Sequence, residues 1–333
     1  MPKGAAASET HVAQAVLEAL RRGNATDAVV TGVLVAAAAS PGVLLGPVQI
    51  LAGGAGTGLV AVDGRIRQPG LGAPRPRGFL PNDLIPDAAY FGAPMLPVAL
   101  AAALGSLGTS AMPRVLGPAI SWARANAPER ALVLEALFQR GGLGLSQDAL
   151  AVELLAVGGR TAGGLLTRDD LTAARPTIAR STERSLGPSG IFKVLWSAEE
   201  GTPERSSVQV VAACDTRGRV AIACYETPDD ALPIPSLGLA APRSAAPVMR
   251  GKRRVAPGTS RPAGSPMALR VRGGLIEAAV GIAQSADARA SVDAVLESLE
   301  QAISLSEALL KVTSGRPVVL AGLRAAPRAA ARM

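Results

Sequence analysis

A chain of 333 residues that is 48% hydrophobic has ample apolar material for a packed core, which excludes a disordered polypeptide. Only 2% of the residues are aromatic, so Ala, Val and Leu must fill that core through close approach of the elements. The net charge of +8 is carried mainly by arginine, because only four lysines are present; with so few rings for base stacking it reads as a solvated basic surface and argues against a nucleic-acid partner.

The opening segment MPKGAAASETHV lacks an apolar stretch with a cleavage site, so no signal peptide is expected. Val12, Val16 and Leu20 repeat at helical spacing, and Gly23 stops that helix at its C′ position. Asn24 then caps a second helix, with Asp27 favourable in its first turn; being apolar nearly all round, this helix must be central. Pro41, Gly42 and Pro47 cut the long uncharged stretch that follows into pieces too short for a bilayer span, so it reads as a buried helix followed by strands. The glycine loop Gly53–Gly58 leads into a short strand that ends in an Asp63-Gly64 turn, and a Pro/Gly-rich connection spans 68–93. Helices are expected over 96–108, 112–128, 129–142 and 146–159, then a short acidic turn at 167–176.

Glu204–Glu226 reads as a β-hairpin: two apolar runs flank a turn at Asp215–Gly218, and Ser206 and Ser207 stand at its threshold. The stretch 227–247 and the basic cluster Arg250–Arg254 read as loops. Two further short strands fall in 264–281, and an amphipathic helix over 290–312 closes the chain before a basic tail that frays. The class is α+β, without internal repeats.

Few residues are suited to chemistry. The glycine loop precedes a strand and lacks Gly-Lys-Ser/Thr, so it fits neither a dinucleotide fingerprint nor a P-loop. His11 is the only histidine and sits at the start of a helix, far from any Gly-x-Ser-x-Gly motif. One histidine and two cysteines make a poor ligand set, so neither a metal nor a cofactor is expected. Cys214 and Cys224 are not cross-strand partners in the hairpin; two free thiols agree with a reducing compartment, and a cytoplasmic protein is expected. What remains is a hydroxyl nucleophile at a chain terminus, using its own α-amino group as base after the chain is cut before it. Ser206 and Ser207, at the start of a strand, fit that placement, although serines there also commonly cap turns.

Several ordered segments between His11 and Pro176 carry a resemblance. The run from His11 through Gly23-Asn24-Ala25-Thr26-Asp27-Ala28 to Asp63-Gly64 resembles the amino-terminal core of γ-glutamyltranspeptidases, which pairs a helix ending in Gly-Asn-Ala-x-Asp-Ala with a buried helix, a glycine-rich loop and a strand. Pro118-Ala119-Ile120 is similar to the family's Pro-Ala-Ile helix, and Gly163–Leu171 to its Gly-Gly-Leu-Leu-Thr-x-x-Asp-Leu segment. The resemblance implies a four-layer αββα Ntn-hydrolase sandwich. It also implies transfer of an acyl group from a small-molecule γ-glutamyl or acyl donor to an amine or water, with glutathione a typical donor and cephalosporin acylases a sister branch. The order implies a large-subunit-like region over 1–205, a small-subunit-like region over 206–320 and a basic tail over 321–333, together one domain.

The catalytic half departs from the family pattern. Setting the family's Thr-Thr-His-x-Ser-Val-Val-Asp-x-x-Gly on Asp215 and Gly218 puts Val208 at the nucleophile and Gln209 after it; one or two inserted residues bring in Ser207 or Ser206. Ser265-Pro266 survive from the family's Arg-Pro-Leu-Ser-Ser-Met-Ser-Pro, and Gln284–Ala288 stands where the family has the Gly-Gly of its oxyanion hole, three residues beyond Gly281. Arg67 resembles the arginine of the family's Arg-Glu-x-Ala-Pro motif, which implies binding of the donor's carboxylate, with Gln68 in place of the glutamate and the Ala-Pro shifted. Two functions follow: amide hydrolysis or acyl transfer by an N-terminal serine after self-cleavage, or a non-catalytic relative that binds a small molecule or protein.

Overall fold

The computed structural model describes residues 3–54, 57–179, 183–186, 189–193, 206–272, 275–284, 288–301, 305–312, 315–323 and 326–331. The chain opens with strand β1 (Gly4–Ala7) and helices α1 (Thr10–Ala19) and α2 (Ala25–Ala39), followed by strands β2 (Val48–Gly53) and β3 (Leu59–Gly64). Helices α3 (Leu96–Leu107), α4 (Met112–Asn126), α5 (Pro128–Arg140), α6 (Asp148–Gly158) and α7 (Arg168–Thr172) come next. Strands β4 (Thr177–Ala179), β5 (Glu183–Leu186), β6 (Ser189–Lys193), β7 (Ser206–Cys214), β8 (Val220–Pro228), β9 (Ala231–Ile234), β10 (Leu239–Pro242), β11 (Met267–Arg272) and β12 (Leu275–Ala283) follow. Helices α8 (Ala288–Glu300) and α9 (Leu305–Leu310) and strands β13 (Arg316–Leu323) and β14 (Ala326–Ala331) complete it.

Two six-stranded antiparallel sheets result, in the orders β1-β7-β8-β2-β3-β4 and β14-β13-β12-β11-β6-β5. Strand alternation sorts their side chains into three apolar layers. One face of the first sheet (Val48, Ile50, Val62, Val211, Ala223, Tyr225) packs on the helices α1–α6. Its other face (Leu51, Ala61, Val208, Val210, Ala212, Ile222) meets Met267, Leu269, Ala279 and Val318 of the second sheet. The far side of the second sheet (Ala268, Ala278, Val280, Ile282) is covered by Val292, Val295 and Leu296 of α8 and by Ala308 of α9. The order of layers is αββα.

With so few aromatics, small residues set the spacing. A Cβ on Gly281 in β12 would come within 2.5 Å of Val210 Cγ1 and 3.2 Å of Ile222 Cδ1, so glycine is what lets the two sheets approach there. Helix α2 is buried from Ala25 to Ala38, as expected of a run of Ala, Val and Gly. Its first turn is a reciprocal capping box: Asn24 Oδ1 accepts from the Asp27 N–H, and Asp27 Oδ2 accepts from the Asn24 N–H, both at 2.9 Å. Asp27 accepts also from the backbone N–H groups of Thr109 and Ser110, each at 3.0 Å, and from their hydroxyls. It therefore ties the α3–α4 connection to α2.

Four expectations are corrected. Asp63 and Gly64 lie within β3, opposite Gln49 and Val48, and do not form a turn; Gly64 is needed because a Cβ would strike Ala99 of α3 at 2.5 Å. The 227–247 stretch contains the β9–β10 hairpin, whose Gly238 carbonyl accepts from Arg130 Nε at 2.9 Å, so a charged residue of α5 anchors it. The closing helix divides into α8 and α9, and the tail expected to fray supplies β14, paired with β13 at the sheet edge. Strand β1, hidden in an Ala-rich start without alternation, pairs with β7.

Candidate functional site

The hairpin that carries the candidate serines is built around Asp215, whose Oδ1 accepts from the N–H groups of Arg217 (2.8 Å) and Arg219 (3.0 Å), with Gly218 in the left-handed region at φ 74°. From there the β7–β8 ladder runs without a bulge, from Cys214 opposite Val220 to Ser206 opposite Pro228. Following the first sheet's inner face towards that far end, the chemistry changes row by row. One row is wholly apolar: Ala212, Ile222, Leu51, Ala61 and Ala179. The next contains Val210, Cys224, Gln49, Asp63 and Thr177, and the one after it pairs Val208 with Glu226. The layer between the sheets thus ends in a buried polar group.

Asp63 is the anchor of that group. Its Oδ1 accepts from the backbone N–H of Arg65 at 2.9 Å and from Arg65 Nε at 3.1 Å, while Arg67 Nη2 lies 3.6 Å from Oδ2. Arg67 also donates to the hydroxyls of Ser260 and, at 3.0 Å, of Thr177, and its main chain pairs with Ala93. Burial holds the Arg67 guanidinium below its usual value; Asp63 opposes this and Arg65 adds to it. Gln49 is fully buried between Cys224 and Asp63, and neither its Oε1 nor its Nε2 has a hydrogen-bond partner among the described residues. Glu226, 4% exposed, accepts from the Gly264 N–H at 2.9 Å.

Beside Glu226 opens a cavity of about 380 Å³. Its walls are apolar at Pro47, Ile66, Ile85, Tyr90, Pro228, Pro242 and Pro262, and carry three carboxylates (Asp87, Glu226, Asp230) to one guanidinium, Arg243. Arg243 pairs with Asp87 at 2.8 Å and Asp230 at 3.1 Å, and lies 6.0 Å from the centre of the Tyr90 ring. The balance of charge favours a ligand that brings a positive group, such as an amine, into an otherwise apolar slot.

Ser206 and Ser207 join the ladder opposite Pro228 and Thr227, next to this cavity wall; their side chains lie outside the described residues. Position 206 has the strand parity of Val208 and Val210, which face the second sheet, and position 207 that of Gln209 and Val211. Val208 is 6% exposed and buried in the inter-sheet core, and its carbonyl accepts from the Gln284 N–H at 3.0 Å. Gln284, just past β12, is at φ 53°, the one left-handed non-glycine among the described residues; 285–287 lie outside them. Gln209 accepts from Ser8 Oγ at 2.8 Å, which fixes β7 to the end of β1. Arg67 comes to the polar end of the sheet, while Ser265 is buried just before β11 and His11 is in the first turn of α1; none of the three lines the cavity. The glycine loop joins β2 to β3, with no helix after it.

Cys214 and Cys224 are buried free thiols opposite Val220 and Val210. Burial raises the Cys214 thiol to about 11, and raises Cys224 too, where the Ser265 hydroxyl acts the other way. Among the described residues no helix is long and apolar enough to cross a membrane, and no three His, Cys, Asp or Glu side chains gather to hold a metal. Gln49 and Glu226 were not singled out from the sequence. The signal for Gln49 was available, since it is the lone polar residue at an inward position of the strand Val48–Gly53.

Two face-to-face antiparallel sheets lie between helical layers, with a cleft at one end of the layer between them: a four-layer αββα sandwich of the Ntn-hydrolase-like kind. Solved structures bear this out. The cephalosporin acylase of Bacillus halodurans superposes with a TM-score of 0.76 at 13% identity, over 98% of this chain and 95% of its own. Two structures named LmbA2991T421A and LmbA2991HD superpose with TM-scores of 0.74 and 0.70 at 13% and 14% identity, each over 99% of this chain and over 97% and 96% of their own. No protein-family model and no curated protein matches the chain. At such identity the likeness is one of fold: this chain shares its overall architecture with these three structures.

Proposed function

We propose that the chain is a binding relative of the γ-glutamyltranspeptidase and cephalosporin-acylase type, one that receives a small amine-bearing γ-glutamyl or acyl compound in the cavity beside Glu226 and does not carry out acyl transfer. The observation behind this reading is the bulge-free β7–β8 ladder, which supports the ungapped alignment in which Val208, seven residues before Asp215 and buried with a side chain that has no hydroxyl, takes the nucleophile position. Two further features support it. The Gln284 N–H, at the start of the segment that in sequence replaces the family's oxyanion-hole glycines, is taken up by the Val208 carbonyl, and the Arg67 guanidinium is engaged by Asp63. Removing one oxyanion donor costs about 2.7–4 kcal/mol of barrier, so loss of both hole and nucleophile leaves no useful rate.

A second reading rests on the parity of Ser206. Two residues upstream of Val208, it keeps the same strand face, so cleavage before it would set a hydroxyl and an α-amino base beside the cavity. This is amide hydrolysis or acyl transfer by an N-terminal serine. Intact mass after long incubation at neutral pH, with calorimetric titration of γ-glutamyl amides, separates the two. A single 33.5 kDa chain that binds the compound is the expected result. Two fragments with a new terminus at Ser206, releasing glutamate from the donor, would establish the second reading. A chain that neither binds nor cleaves overturns both.

A further inference from the structure

A second cavity, of about 160 Å³, lies apart from the acylase-type cleft and shares no lining residue with it. Three loops form it. Phe79 N–H donates to the Val248 carbonyl and Arg250 N–H to the Phe79 carbonyl, both at 2.8 Å, so the 76–79 segment runs alongside 247–250. The third loop is the Gly163-Gly164 turn, in which Gly163 has φ 89° and a Cβ on Gly164 would meet two carbonyl oxygens at 2.0 and 2.5 Å. Arg77 and Arg160 line the cavity, are exposed, and make no ion pair with a described residue.

A third arginine, Arg254, is outside the cavity lining but stands near Leu165, which belongs to it. Arg254 Nη2 comes 2.9 Å from where a Cβ on Gly70 would stand, and Leu165 Cβ, part of the cavity wall, is 3.9 Å from the same point. Both Nε and Nη2 of Arg254 are buried without a hydrogen-bond partner. These two nitrogens share one edge of the guanidinium, the edge that grips an oxyanion side-on with two parallel hydrogen bonds. Leaving such a charged pair buried and unpaired is costly, so an acceptor reached by rotation of this side chain is strongly favoured.

We propose that this cavity is a binding site for a small phosphate-type oxyanion, held by Arg77 and Arg160 of its lining and reached by the free edge of Arg254 on rotation of that side chain. The size suits a phosphoryl group and a short substituent, and the wide surface of a protein partner has no place in it. The proposal is independent of what the acylase-type cleft does.

The test is calorimetric titration of the full chain with inorganic phosphate and with glycerol 3-phosphate, against sodium chloride at matched ionic strength. Saturable binding is expected for both, absent with chloride, and weakened about tenfold in each of R160A and R254Q. Arg254 is half-buried and its variant can fail to fold, so exposed R160A, checked by circular dichroism, carries the test by itself. Equal heats from chloride, or phosphate binding unchanged in R160A, would overturn the site. Phosphatidylserine vesicles distinguish the source: capture by vesicles with no response to free phosphate overturns the small-ligand assignment.

Discussion

Replacing Asp27 with alanine takes the acceptor away from five donors at once: the N–H groups of Asn24, Thr109 and Ser110 and the hydroxyls of the last two. The hydroxyls can turn to other partners, but the three backbone donors cannot. An unsatisfied buried donor costs about 1–3 kcal/mol, and Thr109 lies close enough to solvent to recover part of its share. A loss of about 3–5 kcal/mol follows, a large fraction of the 5–15 kcal/mol that typically holds a domain together. Asp27→Asn should cost less, about 1–2 kcal/mol. With its oxygen in the Oδ1 place it keeps the N–H groups of Thr109 and Ser110, its amide donates to their hydroxyls, and only the Asn24 N–H is left unpaired. Urea unfolding followed by far-UV circular dichroism measures both, with unchanged slope required for the comparison. If alanine costs under 1 kcal/mol, or asparagine costs as much as alanine, then Asp27 does not pin the α3–α4 connection and the reasoning fails.

Gly281→Ala forces a methyl into Val210 between the sheets and should destabilise by about 1–3 kcal/mol in the same assay, with Val210→Ala as a second change recovering part of the loss. Gln284→Gly relieves a left-handed non-glycine and is expected to raise stability by up to about 1 kcal/mol; a loss would mean that the glutamine side chain is needed there. The pH dependence has a definite sign. The thiol of Cys214 is raised by burial from 9.0 to about 11, and Cys224 and Tyr225 are raised by burial as well, so the folded chain keeps protons that the unfolded chain releases. This part of the stability is complete below pH 9 and is lost as pH rises towards 11, so melting temperature should fall over that range, less steeply in Cys214→Ala.

How much of this was readable beforehand depends on which force decides each element. Helix α2 announced itself, because an Asn cap, an Asp in the first turn and an all-round apolar run are local signals. The hairpin did too, since Asp215 and Gly218 carry the chemistry of their own turn. Asp63 was misread because Asp-Gly is a strong turn dipeptide; here the close packing of Ala99 on Gly64 and two arginines on the carboxylate outweigh that preference. β1 and β9–β10 have no alternation to reveal them and depend on partners distant in sequence. The same holds for the site. Ser206, Val208 and Arg67 could be named from a motif, but the polar row from Cys224 through Gln49 to Asp63 exists only once three strands are in register.

The edge of the first sheet raises a matter of timing. β1 closes that edge by pairing Gly4 with Cys214 and Ala7 with Val211, so its partner is made about 200 residues later. At ribosomal speeds of 5–20 residues per second, β1 must wait roughly 10–40 s before the strand it pairs with is made. During that interval Ala5–Ala7 is a small apolar strand with both edges open, and the helical layer can form beneath an incomplete sheet. The edge of the first sheet is thus closed by a contact between segments about 200 residues apart in sequence, and β7, the strand that carries Ser206 and Val208, has an open edge whenever β1 is unpaired.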